Sequence, residues 1–235
     1  MTTFLAAGLL FDLDGTLVDT AADLACAANH MLKTLGRPTE DEATVAGWIG
    51  DGVPRLIKRA LTGERFGEPD PALFEEAQAL YGDYYERHVA DRSRLYPGVA
   101  ETLAALRADG FRMACVTNKA GRFTRPLLKA LGVAPYFDVI LSGDELPRVK
   151  PDPLPLMVAC ERLGVARDGA GLVGDSGNDM RAAKAAEMPA IAVGYGYHHG
   201  VDLAALGAAA ITPTFAGVRN LFRFEGRFLL SKAMP

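Results

Sequence analysis

The 235-residue chain mixes 25 basic with 29 acidic residues for a formal charge of −4, and 49% of it is hydrophobic. That suffices to bury a core in one large domain, or one with an excursion, and it argues against a nucleic-acid or anionic-membrane surface, so the expected partner is small. Cys26, Cys115 and Cys160 lack metal-ligand spacing, and neither a run of ~18 apolar residues nor a signal-peptide pattern is present, so a cytoplasmic protein with reduced cysteines is expected, as monomer or homodimer.

The first predicted strand, residues 8–13, belongs to Leu9-Leu10-Phe11-Asp12-Leu13-Asp14-Gly15-Thr16. An apolar run suited to a buried strand ends there in two carboxylates and a glycine, which a stable core does not require. Asp12 and Asp14, two apart, leave the same edge of the sheet, and Gly15 lets the backbone turn away. A divalent cation would relieve their repulsion, and hard oxygen ligands suit Mg²⁺ better than zinc. One carboxylate could then attack an electrophile while the other moves a proton.

Leu24, Ala27 or Ala28, Met31 and Leu35 recur at helical spacing and Gly36 stops that helix. Segments 40–48, 53–62 and 71–91 also read as helical, the last opening on Asp70-Pro71. Four successive helices interrupt any strand-helix alternation. An inserted lid is expected, hinged at 15–20 and 92–98, able to close over the carboxylates and exclude water.

Alternation then begins: helix 99–109, strand 111–117, helix 121–131, strand 137–141, helix 153–163, strand 170–174, helix 178–187, strand 189–193 and a short strand near 208–211. Such repetition predicts an α/β fold with a Rossmann-like parallel sheet and ligands beyond the carboxyl ends of its strands. Residues 1–19 and 94–235 are assigned to this core, and 20–93 to an all-helical cap. Polar residues collect where that rule expects. Thr117-Asn118-Lys119 offers a hydroxyl and orphan N–H groups as a phosphate cradle. Lys150 precedes a proline-rigidified helix start. Asp175 and Asp179, four apart across a strand-to-helix turn, fit one metal ligand with a second carboxylate anchoring behind it. His198 and His199 are not expected to bind metal, since adjacent histidines project differently. The tail over residues 222–230 is expected to pack on the domain or fray.

Asp12-Leu13-Asp14-Gly15-Thr16-Leu17-Val18-Asp19 resembles the first signature of the haloacid dehalogenase superfamily, and Thr117, Lys150 and Asp175 with Asp179 resemble its later ones in order. The resemblance implies a phosphatase in which Asp12 is the nucleophile and Asp14 the acid and base. It further implies that Mg²⁺ is held by Asp12, the Asp14 carbonyl and Asp175, that Thr117, Asn118 and Lys150 receive the phosphoryl oxygens, and that Asp179 orients Lys150 or a metal-bound water. Asp14 separates this chain from dehalogenating and phosphonate-cleaving members. The segments Ala21–Leu24, Gly36–Pro38, Trp48–Gly52, Tyr96–Val99 and Val116–Lys119 are similar to those of members acting on 2-phosphoglycolate. On that likeness Gly50 and Arg55 would approach the substrate, Arg55 meeting its carboxylate. The alternatives are another sugar-phosphate or pyrophosphate hydrolase, a β-phosphoglucomutase-like isomerase and, from a different class, a non-catalytic phosphate-sensing regulator.

Overall fold

In the computed structural model, which describes residues 3–226, the apolar N-terminal run is divided between two strands. Strand β1 (Phe4–Ala6) stands outside the main sheet, and β2 (Gly8–Phe11) lies at its centre. Asp12 follows the last residue of β2 directly, so the strand ends two residues earlier than predicted. A two-residue strand, β3 (Val18–Asp19), leads into helices α1 (Ala21–Thr34), α2 (Glu42–Ala46), α3 (Val53–Thr62) and α4 (Pro71–Arg87). The chain returns through β4 (Arg94–Leu95), which pairs antiparallel with β3, Val18 opposite Leu95 and Asp19 opposite Arg94. Both predicted hinge segments thus contribute to one short ribbon.

Local chemistry sets the limits of these helices. Asp70 caps α4 by accepting the N–H groups of Ala72 and Leu73 at 3.0 and 3.1 Å, and Pro71 occupies the first turn, where a missing donor costs nothing. The helix buries Ala77, Tyr81 and Tyr85, one residue per turn, on a single stripe. It stops at Arg87 rather than continuing to 91, with His88 as its cap, and the backbone N–H groups of Arg92 and Ser93 beyond it go to the Asp23 carboxylate on α1. Helix α2 is likewise shorter than the predicted 40–48, starting where Asp41 accepts from the Thr44 N–H.

The second half alternates as expected: α5 (Val99–Ala108), β5 (Arg112–Val116), α6 (Gly121–Ala130), β6 (Val139–Leu141), α7 (Leu154–Leu163), β7 (Ala170–Gly174), α8 (Gly177–Ala185), β8 (Ala190–Val193) and β9 (Ala210–Thr212). A short helix α9 (Val218–Leu221) precedes β10 (Phe222–Phe224), which pairs parallel with β1. Part of the predicted tail therefore packs on the domain; residues 227–230 of it lie outside the described residues. Six strands form a parallel sheet in the order β6-β5-β2-β7-β8-β9, the Rossmann-like arrangement expected. All four residues of β2 are buried, as a central parallel strand covered on both faces requires. Leu9 and Phe11 face one apolar cluster and Leu10 the other, following the two-residue period of a strand.

Register positions everything that follows. Phe11 lies opposite Cys115 on one side and Val173 on the other. Hence Asp12, Thr117 and Asp175, each at or just beyond the carboxyl end of its strand, emerge side by side. Cys115 and Cys160 are buried, Cys26 is half-buried on α1, and all three are free thiols. Among the described residues no helix is long and apolar enough to cross a membrane.

Candidate active site

The turn after β2 is wound tightly around Leu13, whose carbonyl accepts the N–H groups of Leu17 and Val18 at 2.9 and 3.0 Å. Gly15 occupies it with φ of +88°, and a Cβ there would strike the Asp175 carboxylate and the Tyr197 ring. Gly196 and Gly174 are equally constrained, the first against Asp175 and the Gly15 carbonyl, the second against Asp179. Three glycines thus let three strand exits close around two carboxylates.

Asp12 donates its N–H to Val173 at 2.9 Å, which fixes its backbone to β7, and its Oδ1 accepts Lys150 Nζ at 2.8 Å. Lys150 Nζ also donates to Asp179 Oδ1 and to the Val116 carbonyl, both at 2.7 Å, so all three of its protons are placed. Asp179 divides its oxygens: Oδ2 accepts the hydroxyl and N–H of Ser176, closing the capping box of α8, while Oδ1 holds Lys150. Asp175, 1% exposed, accepts the Thr16 hydroxyl at 2.7 Å and the Tyr197 N–H at 2.6 Å.

Burial pushes the Asp12 carboxyl up to about 7, aided by Asp179 and Asp14 and opposed by Lys150. Asp175 is raised well above the ordinary carboxylate range by burial, then by Asp12 and Asp179. Burial alone would depress Lys150, but Asp12 and Asp179 outweigh it and raise the ammonium above its usual value. One ammonium among three carboxylates leaves a deficit of positive charge. Oxygens of Asp12, Asp175 and Asp179 lie within 4.8 Å of one another, an all-oxygen set suited to a hard divalent cation.

Asp14 stands apart from that cluster. Its Oδ1 accepts the Thr20 hydroxyl and Lys119 Nζ, both at 2.7 Å. That oxygen is thereby committed to two donors. Tyr197 completes this side: its phenolic oxygen accepts the N–H groups of Thr20 and Ala21 and donates to Asp19, capping the start of α1.

The side chain of Asn118 is bound to Lys150, its Oδ1 accepting the Lys150 N–H at 3.0 Å and its Nδ2 donating to the Lys150 carbonyl at 2.8 Å. These two bonds tie the Asn118 side chain to Lys150 and so locate it, while the Asn118 backbone N–H stays available for an anion. Asp12, Asp14, Thr117, Asn118, Lys150 and Asp175 all line one cavity of about 40 Å³, closed by Leu24, Ile49, Gly50, Val53 and Leu56 from the helical segment. Arg55 does not line it: its guanidinium pairs with Glu68 at 3.1 Å and reaches the Gly67 carbonyl. The structure therefore does not bring Arg55 to the cavity with the other predicted residues, because a nearer carboxylate and carbonyl hold the side chain away.

Sequence assigns no separate side-chain role to Lys119, Thr16, Thr20, Tyr197 or Asn178. Lys119 directly follows two predicted residues and Thr16 lies inside the first motif, so position alone pointed to both. Asn178 donates to the Gly50 carbonyl at 3.1 Å and to Asp51 at 3.0 Å, joining the start of α8 to the loop before α3. His199 reaches that loop too, with Nε2 2.8 Å from the Ile49 carbonyl. Burial alone would raise the Asp51 carboxyl, yet hydrogen bonds from Arg59 and Asn178 hold it below the usual range.

Residues 9–193 match the family model of the haloacid dehalogenase-like hydrolases. The chain is 52% identical over 208 residues to a phosphoglycolate phosphatase of Thiobacillus denitrificans, covering 88% of this chain and 92% of that one. It is also 52% identical over 215 residues to a phosphoglycolate phosphatase of Nitrosospira multiformis, covering 92% and 95%. A crystal structure of a predicted phosphoglycolate phosphatase from Haemophilus somnus superposes with a TM-score of 0.84 at 35% identity, covering 94% of this chain and 98% of that one.

Proposed function

The chain belongs to the haloacid dehalogenase-like hydrolase family as a phosphoric monoester hydrolase, and from that premise we propose that it converts 2-phosphoglycolate to glycolate and phosphate through an aspartyl-phosphate intermediate, with Mg²⁺ as cofactor. The observation that carries the reading is the meeting of Asp12 with Asp175, Asp179 and Lys150 at adjacent strand exits. The phosphoglycolate phosphatases it resembles supply the substrate. A cavity of about 40 Å³ favours a small molecule.

In the first half-reaction an Asp12 oxygen attacks phosphorus, the phosphorus–ester oxygen bond breaks, and Asp14 gives a proton to the departing alkoxide. In the second, Asp14 takes a proton from water as the water oxygen attacks phosphorus, releasing phosphate and restoring the Asp12 carboxylate. Lys150, the Thr117 hydroxyl and the Asn118 N–H take the phosphoryl oxygens, and Asp179 aims Lys150. Asp12, Asp175 and the Asp14 carbonyl would hold Mg²⁺, which supplies charge neutralisation for the dianion and its nucleophile. We assign residues 20–93 as a cap that closes this cavity, held to the core through Asn178 and His199. Enclosure excludes water and selects a small ester.

Purified protein assayed against a panel of phosphorylated metabolites, with Mg²⁺ and with EDTA, tests the proposal. The highest kcat/KM is expected for 2-phosphoglycolate, with activity lost in EDTA. A sugar or amino-sugar phosphate hydrolysed faster would overturn the substrate, and phosphate moved between sugar positions with little release would identify a mutase.

A further inference from the structure

Resting on the reading of 2-phosphoglycolate as substrate, we propose that Lys119 is the residue that binds the substrate carboxylate and so sets specificity. In this substrate the carboxylate is one methylene from the ester oxygen that Asp14 must protonate. Whatever receives the carboxylate must therefore lie beside Asp14, in a cavity already lined by the carboxylates of Asp12 and Asp175. A second anion there needs a cation.

Lys119 and Lys150 are the cationic side chains lining the cavity among the described residues. Lys150 has no donor to spare for this end of the substrate: its three protons lie on Asp12, Asp179 and the Val116 carbonyl, and the one on Asp12 is the one that turns to the phosphoryl oxygens. Lys119 does. It is 3% exposed, and its ammonium makes one hydrogen bond, to Asp14 at 2.7 Å, while lying 4.9 Å from the centre of the Tyr85 ring. One proton on Asp14 and one over the ring face leave a third for an incoming oxygen. The Asp14 contact puts that proton on the leaving-group side. The stem is fixed as well, since the Lys119 N–H donates to Thr117 Oγ1 and its carbonyl accepts the Gly143 N–H at 2.9 Å. A buried ammonium held there rejects an ester lacking the carboxylate, because the polar group would be left poorly paired.

The test compares 2-phosphoglycolate with ethyl phosphate, in which a methyl replaces the carboxylate, for the wild type, Lys119→Met and Lys119→Arg, each verified as folded by circular dichroism. Lys119→Met is expected to lower kcat/KM for 2-phosphoglycolate about a hundredfold, chiefly through KM, and to reduce the preference over ethyl phosphate by at least about tenfold. Lys119→Arg should restore part of that preference, and it alone decides the matter where the methionine variant does not fold. An equal loss on both substrates would confine Lys119 to positioning Asp14 and overturn the inference. A wild type with no preference for 2-phosphoglycolate overturns the substrate reading and this inference together, whereas a preference that survives Lys119→Met and Lys119→Arg unchanged overturns this inference alone.

Discussion

The Asp23 carboxylate accepts the backbone N–H of Ser93, 70 residues further along the chain, at 2.7 Å. The Ser93 hydroxyl and the Arg92 N–H donate to the same carboxylate. One side chain on α1 thereby closes the helical segment where the chain returns to the sheet. Asp23 is 1% exposed and Ser93 fully buried, so the Ser93 N–H is poorly placed to take water in exchange for a lost acceptor.

Removing Asp23 should therefore cost more than an average hydrogen bond. Asp23→Ala leaves the Arg92 and Ser93 N–H groups without their acceptor, and the Ser93 hydroxyl with only the Val89 carbonyl at 3.4 Å, and is expected to destabilise the protein by about 2 kcal/mol in urea unfolding. Asp23→Asn, which keeps one acceptor oxygen, should cost less. Equal stability of the alanine variant and the wild type would show that the carboxylate is not what ties the two ends together.

The raised Asp12 carboxyl has a consequence for the metal-free protein. The folded state holds its proton up to about 7, whereas the reference carboxyl releases it near 3.8. Between those values the native state binds more protons than the unfolded chain, so stability falls as pH rises and levels off above about 7. In EDTA the melting temperature should decline from pH 5 to pH 7.5, less steeply for Asp12→Asn, and added Mg²⁺ should raise it more at pH 7.5 than at pH 5. A melting temperature that climbs over this interval in EDTA would contradict the assignment. The same Asp12→Asn variant should lose turnover while remaining folded.

Asp12, Thr117 and Asp175 are legible as strand exits because a buried parallel strand is a short apolar run, and its polar successor is conspicuous. Lys150 stands out only by its place before Pro151. The rest depends on long side chains choosing among partners that sequence does not rank. Arg55 found Glu68, 13 residues on, and Asn118 found the Lys150 backbone, 32 residues on. Strands β1, β3, β4 and β10 hold two or three residues each, too few to show a period, and exist because a neighbouring backbone is already fixed. Tyr197 reaches the start of α1 from 177 residues away, a contact that no local pattern encodes.

Asn178 offers a separate test of how the helical segment meets the sheet. Its amide donates to Gly50 and Asp51, and its oxygen accepts from Arg181 at 2.8 Å, so the loop that closes the cavity is referred to the helix carrying Asp179. Asn178→Ala should raise KM, with a loss of about tenfold in kcat/KM, because the loop is no longer held over the substrate. Asn178 is 8% exposed and its amide serves three partners, so some stability should be lost as well, and the kinetics are compared well below the variant's melting temperature. Unchanged kinetics would separate the loop from catalysis.

Gly196 tests the packing around Asp175, the carboxylate proposed to hold metal, without touching any charge. Its backbone is not in the left-handed region, so alanine meets no conformational penalty there, only the Asp175 side chain and the Gly15 carbonyl against which its Cβ would press. Both belong to strand exits at the acidic cluster, so relieving the clash shifts the Asp175 side chain or the Gly15 backbone beside it. Gly196→Ala is thus expected to cost about 1–3 kcal/mol of stability and to weaken Mg²⁺ activation, visible as a higher metal concentration for half-maximal activity. Gly200→Ala, at a glycine with φ of +73° and open space around its Cβ, should cost stability through backbone strain and leave the metal requirement alone. A metal requirement shifted equally by both substitutions would mean that the loop over residues 194–200, rather than the Asp175 carboxylate, is what the first one disturbs.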